Sequence, residues 1–199
     1  MMYGFQITNS KGVNLIKGDE YVPCFLAKRD FSSGPSVQTW DTGIPGGDPP
    51  PLVFARGICI AGVSSETGRW VVSVWGHKPQ GIVTVYLFTR AFKSVSKYGV
   101  QVFDSGGTLS YQSSSKAIRV IDVVSSMQNN NLPKRYTVPV AVTAKVLFAR
   151  SYGIGTPYLY GLIADLDNSV SIQVVQTIPA EVSFGLSYAS FAVIDVTGL

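Results

Sequence analysis

Glu66-Thr67-Gly68-Arg69-Trp70-Val71-Val72-Ser73-Val74-Trp75-Gly76 reads as a tight turn running into a strand. Trp70, Val72 and Val74 fall on one face, and Val71, Ser73 and Trp75 on the other. β-Branched and aromatic residues at period two fit a pleated, half-buried surface. The same pattern extends outward in both directions. Tyr3, Phe5 and Ile7 alternate with Gly4, Gln6 and Thr8, and Val138, Val140, Val142 and Ala144 share one face of a later run. Turn chemistry separates these runs at Asn9-Ser10-Lys11-Gly12, Lys78-Pro79-Gln80-Gly81, Asp104-Ser105-Gly106-Gly107 and Asp167-Asn168-Ser169. Short strands spaced by such turns predict an all-β, antiparallel β-sandwich with little or no helix. The best helical stretch is short, Arg90 to Lys97.

The chain has an internal echo. Tyr3-Gly4-Phe5-Gln6-Ile7-Thr8-Asn9-Ser10-Lys11-Gly12 matches Tyr98-Gly99-Val100-Gln101-Val102-Phe103-Asp104-Ser105-Gly106-Gly107, an alternating strand entering a tight turn. The two copies predict a sandwich-like half at 1–95 and a second at 96–199, either as two sandwiches or as one continuous β domain. The first half carries a loop rich in Gly, Pro and Ser at 31–51, which ends Gly46-Gly47-Asp48-Pro49-Pro50-Pro51. Proline removes backbone donors, so this segment is not expected to form a central strand. Loops of that length are often functional. Trp40, Pro49, Pro50 and Pro51 are the expected partner-binding residues; Trp40 is either an anchor for a partner or a plug on its own domain.

Hydrophobic residues make up 46% of the chain and charged residues 14%. The charged share is well below the usual quarter, so the surface is expected to be covered by partners. Every apolar run is interrupted by charge, and a spanning helix needs about 20 apolar residues, so no membrane segment is expected. Met1 to Ile16 alternates and does not read as a signal peptide. Cys24 and Cys59 each lie in an apolar run, which predicts reduced core thiols in a protein made in a cytosol.

Charge is unevenly spread. Residues 1–89 carry 7 basic and 6 acidic side chains, residues 90–150 carry 9 and 2, and residues 151–199 carry none and 4. The basic residues form no dense run and accompany no nucleic-acid motif, so nucleic acid is not the expected partner. If the basic and acidic regions lie on opposite surfaces, copies meet plus to minus. Arg119, Lys134 and Arg135 are the residues expected to guide that assembly. The alternative is that these charges pair within each subunit.

Catalytic, metal and cofactor chemistry are not expected. The one histidine, His77, lies beside a turn, and no G-x-S-x-G elbow accompanies it. Asp165, Asp167 and Asn168 lack the glycine and distal glutamate of a calcium loop and read as turn formers. Gly106-Gly107 is a hairpin turn, not a phosphate loop. Nothing among the 12 acidic residues singles out a glycosidase pair.

The pattern Y-G-x-Q-x-x-D-x-x-G at Tyr98 to Gly107, followed by Lys116-Ala117-Ile118-Arg119-Val120-Ile121-Asp122-Val123-Val124, resembles small tail-tip and tail-fibre-region proteins of long-tailed bacteriophages. The copy at Tyr3, the segment Pro51 to Arg56 and the run Val83 to Phe88 also look like strands of these proteins, so the resemblance covers roughly residues 1–125. It implies a virion component, a minor tail protein made in the host cytoplasm. Its implied partners are hub, fibre or tail-tip subunits, with copies around a threefold or sixfold axis. The alternative is a receptor- or carbohydrate-binding module of the tail, for which Trp40, Trp70, Trp75, Tyr158 and Tyr160 are the available aromatics. Trp70 and Trp75 fall on opposite faces of one strand and do not form one platform.

Overall fold

A computed structural model describes residues 6–8, 14–17, 22–32, 34, 36–75, 81–90, 99–104, 106–125, 132–143, 146–150, 158–177 and 190–199. The described residues form seventeen strands and no helix. All strand pairs are antiparallel. The all-β, sandwich-like fold read from the alternation is the fold observed. Arg90 follows the last residue of a strand, and the rest of the short helical candidate lies outside the described residues.

One six-stranded sheet is the frame. Three of its strands come early in the chain: β3 (Cys24–Ser32), β5 (Leu52–Arg56) and β8 (Ile82–Thr89). Three come late: β11 (Val120–Ser125), β13 (Val140–Thr143) and β17 (Ser190–Asp195). The order is β11-β17-β13-β5-β8-β3, with β5 joined to β13 through Val142–Ala55 and Thr143–Phe54. One sheet thus runs through both halves, 1–95 and 96–199.

Paired residues share a face, so Val142 and Ala55 identify one continuous surface. Over its early half lies a three-stranded sheet, β4 (Gln38–Pro45), β7 (Arg69–Trp75) and β6 (Ile60–Glu66). Between them Val53, Ala55, Val83, Val85 and Leu87 meet Ala61, Val72 and Val74. Over the late half lies a four-stranded sheet, β12 (Lys134–Arg135), β16 (Ser169–Thr177), β15 (Tyr158–Ala164) and β14 (Val146–Arg150). There Val124, Val140, Val142, Phe191 and Val193 meet Ala164 and Val170. The opposite face of the frame buries Phe54, Tyr86, Phe88, Ala141 and Ile194 under Phe25, Ile118, Val196 and Leu199. Phe88 receives Phe54 and Phe25 edge-on, with ring centroids 5.7 and 5.9 Å away. Strand β8 is thus buried on both faces, which is why Val83 to Phe88 reads as a nearly continuous apolar run.

The topology repeats. In the early half the frame strands order β3-β8-β5 and the cover strands β4-β7-β6; in the late half they order β11-β17-β13 and β12-β16-β15, with β14 added outside β15. Each half is preceded by a two-stranded hairpin: β1 (Gln6–Thr8) with β2 (Asn14–Lys17), and β9 (Gln101–Phe103) with β10 (Leu109–Gln112). These hairpins start in the two copies of the sequence echo. The remainder of the first copy, Tyr3–Phe5 and Asn9–Gly12, lies outside the described residues. The equivalent strands β5 and β13 are antiparallel neighbours, so a pseudo-twofold axis passes between them, perpendicular to the sheet. The described non-glycine residues with positive φ, Thr67 and Asn168, occupy the equivalent turns β6–β7 and β15–β16. A second echo departs from this scheme. Leu52-Val53-Phe54-Ala55-Arg56 resembles Val146-Leu147-Phe148-Ala149-Arg150, yet β5 is central in the frame and β14 lies at the edge of a cover sheet.

The region 31–51 requires a correction. Its middle is a strand, β4, at the edge of the three-stranded sheet and paired with β7. An edge strand needs donors on one side only, so it accepts Pro45 as its last residue and a register break between Asp41 and Pro45. Gly43 supplies the positive φ at that break.

Candidate interaction surface

The residues expected to bind a partner split into two groups. Trp40 sits on β4, half-buried, packed against the early core with its ring 6.3 Å from that of Phe31. Of its two open readings, the geometry is that of a plug. Pro49 and Pro50 are exposed, whereas Pro51 is buried. The turn before them is tied down, because the Trp70 indole N–H donates to the Asp48 carbonyl at 2.8 Å. Trp75 lies across Gly62, where a Cβ would come within 3.3 Å of the indole. All three indoles are therefore engaged by the chain itself. Tyr158 and Tyr160 have side chains outside the described residues.

Arg119, Lys134 and Arg135 each have a carboxylate partner in the same chain. Arg119 meets Asp195 at 3.0 Å, Lys134 meets Asp122 at 2.6 Å and Arg135 meets Asp167 at 3.3 Å. Two of these pairs join the basic region 90–150 to the acidic region 151–199, so those regions face each other here. Asp195 is buried, and the Thr197 hydroxyl and backbone N–H hold its carboxyl below the usual carboxylate range, helped by Arg119. Asp122 is a junction: it accepts from Lys134 Nζ, from the Tyr136 hydroxyl at 2.6 Å and from the Val123 N–H at 2.9 Å. The Lys134 contact, then the Tyr136 hydroxyl, lowers its pKa, and burial together with Asp122 raises that of Tyr136.

Sequence reasoning did not single out Arg56. Its guanidinium donates to the Leu166 carbonyl at 2.7 Å and to Asn168 Oδ1 at 2.9 Å, and Gly57 N–H donates to the Ala164 carbonyl at 2.8 Å. The end of β5 is thereby locked under the β15–β16 turn. No sequence signal marks a contact across 110 residues.

The surface with the clearest unmet need is strand β11. Among the described residues it is an outer strand of the frame, paired on one side only, to β17. A register shift between Val120 and Asp122 makes Ile121 a bulge, so Val120 and Val123 turn to the same face. Val120 is 51% exposed, Ile121 41% and Val123 59%. Proteins commonly guard such edges with charge. The equivalent strand at the other edge, β3, does so, with Lys28, Arg29 and Asp30 exposed. On β11 only Asp122 is charged, and Lys134 and Tyr136 already hold it.

Among the described residues no group of three or more His, Cys, Asp or Glu is placed to hold a metal ion. Asp165 and Asp167 serve the β15–β16 turn: Asn168 N–H donates to the Asp165 carbonyl, and Ser169 donates through both its N–H and its hydroxyl to Asp167 Oδ1. His77 lies outside the described residues. Cys24 and Cys59 are buried and unlinked. No described helix is long and apolar enough to cross a membrane. Compared with known proteins, the chain matches no family model, no curated protein and no solved structure.

Proposed function

We propose that the chain is a structural component of a long-tailed bacteriophage tail, at the tip or the fibre-attachment region, acting by protein–protein packing and not by catalysis. One observation carries this reading. The run Lys116 to Val124, which bears the resemblance to tail-tip proteins, is where the fold places an open sheet edge with Val120, Ile121 and Val123 exposed. An edge this sparsely charged is a template for another strand and a hazard if left uncovered. Its natural place is inside an assembly, against hub, fibre or tail-tip subunits. The composition agrees, since 14% charged residues leave little to keep a free surface soluble.

The test is localisation. An antibody to the chain, or an affinity tag on it, should label the tail end of purified particles by electron microscopy. Particles lacking the chain overturn the proposal. A glycan array on the isolated protein addresses the receptor-binding alternative; saturable binding of a defined sugar favours that alternative.

A further inference from the structure

The frame has two outer edges, and they are chemically complementary. The strands of β11-β17-β13-β5-β8-β3 alternate in direction, so β3 runs antiparallel to β11. A second copy rotated edge to edge therefore presents its β3 to β11 with the polarity an antiparallel ladder needs. Only part of β3 is open. Its start is covered by the segment before β11, through Phe25 N–H to the Lys116 carbonyl and the bridge Cys24–Ala117. From Lys28 to Ser32 no strand lies outside it among the described residues.

We infer that β11 of one copy pairs with the Lys28–Ser32 half of β3 of the next, so that the six-stranded frame continues from subunit to subunit. The register follows from faces and charges. Asp122 and Arg29 lie on the covered face, through their partners Val193 and Val85; Val123 and Lys28 lie on the opposite face, through Ala192 and Tyr86. Setting Asp122 against Arg29 of the next copy thus places Val123 over the aliphatic stem of Lys28. With Ile121 bulged, Val120 comes opposite Asp30. Opposite charges set directly across a ladder favour one register, and the valines supply apolar contact. Charges on β3 that deter indiscriminate pairing then select this one strand. The contact is heterologous: it closes into a ring at a fixed rotation and otherwise grows as a filament. This inference rests on reading the chain as an assembly protein, and it names a second copy as the partner of that same edge.

Sedimentation velocity of the full chain, across a range of concentrations, tests it. Species larger than the monomer are expected. Arg29→Asp and Asp122→Arg should each lower the association constant about tenfold per contact. The double variant, R29D with D122R, should restore association, because each copy then offers the swapped pair. Asp122→Arg also removes a partner from Lys134 and Tyr136, so its folding is checked by circular dichroism. If it fails to fold, Arg29→Asp and Val123→Lys carry the test, and both should dissociate the oligomer. A purely monomeric chain overturns the inference. So does loss of oligomers in Val123→Lys with Arg29→Asp unaffected, which would mean that β11 pairs with β11. These outcomes are separate from the particle test: a monomer found in virions overturns only the pairing, and an oligomer absent from virions overturns only the tail reading.

Discussion

At the scale of single residues, a few positions hold geometry that few alternatives permit. Gly57 has φ near +107°, and a Cβ there would lie 2.9 Å from the Ile82 carbonyl oxygen. Gly57→Ala should cost about 2–3 kcal/mol, read as a shift in the urea midpoint at unchanged slope. Asp195 is a buried carboxylate with Arg119 as its only ion-pair partner among the described residues. Arg119→Ala should destabilise by about 1–2 kcal/mol, less than for a fully buried pair because the arginine is largely exposed. The folded pKa of Asp195 is lowered, so its contribution is present above the unfolded carboxylate pKa and is lost as pH falls through the folded one. Asparagine at 195 should flatten that acid limb. Cys59 behaves oppositely: burial pushes its thiol up to about 12. Below the unfolded thiol pKa both states are protonated. As pH rises toward 12 the unfolded chain ionises first, so stability falls across that window, and Cys59→Ser should remove the fall. Both thiols should react with a thiol reagent only in denaturant, since both are buried.

At the scale of elements, what was legible in the sequence depended on whether a strand's surroundings are written in its own residues. Strand β7 was legible because one face is core and the other is not, so Val72 and Val74 alternate with Val71 and Ser73. Strand β8 was legible as a continuous apolar run for the opposite reason, burial on both faces. Strand β4 was not, because Gly43 and Pro45 signal a loop, and only its position at an edge beside β7 makes them tolerable. Trp40 illustrates the same limit: its type suggests a contact, but whether the contact is Phe31 or a partner is decided by the fold. The exposed edge at β11 carried a partial signal, since Val120, Ile121, Val123 and Val124 put apolar side chains on both faces without forming a central strand. Arg56 carried none. Amide hydrogen exchange should follow this layout. Protection should be greatest in β8 and β5, and lower in β4, whose outer side has no strand partner among the described residues. Protection in β4 equal to that in β8 would contradict the layout.

At the scale of the whole molecule, two similar halves are fused rather than tethered. They share one sheet across β5 and β13, one apolar surface at Phe54, Phe88, Ala141 and Ile194, and the Arg56 lock beneath the β15–β16 turn. Cutting between them would expose all three. Calorimetry should therefore show a single transition with equal calorimetric and van't Hoff enthalpies, and a fragment ending at residue 95 should not fold alone. Two resolved transitions would mean that the joint is weak. The same fusion leaves one wide sheet with unlike ends, a charged β3 and an apolar β11, and such a sheet is suited to being built into something larger. The most direct measurement is electron cryo-microscopy of particles that carry the chain. Density for this fold is expected at the tail tip or fibre-attachment region, with Val120, Ile121 and Val123 buried against a strand of a neighbouring subunit. A chain absent from the tail, or present with β11 bare to solvent, would contradict it.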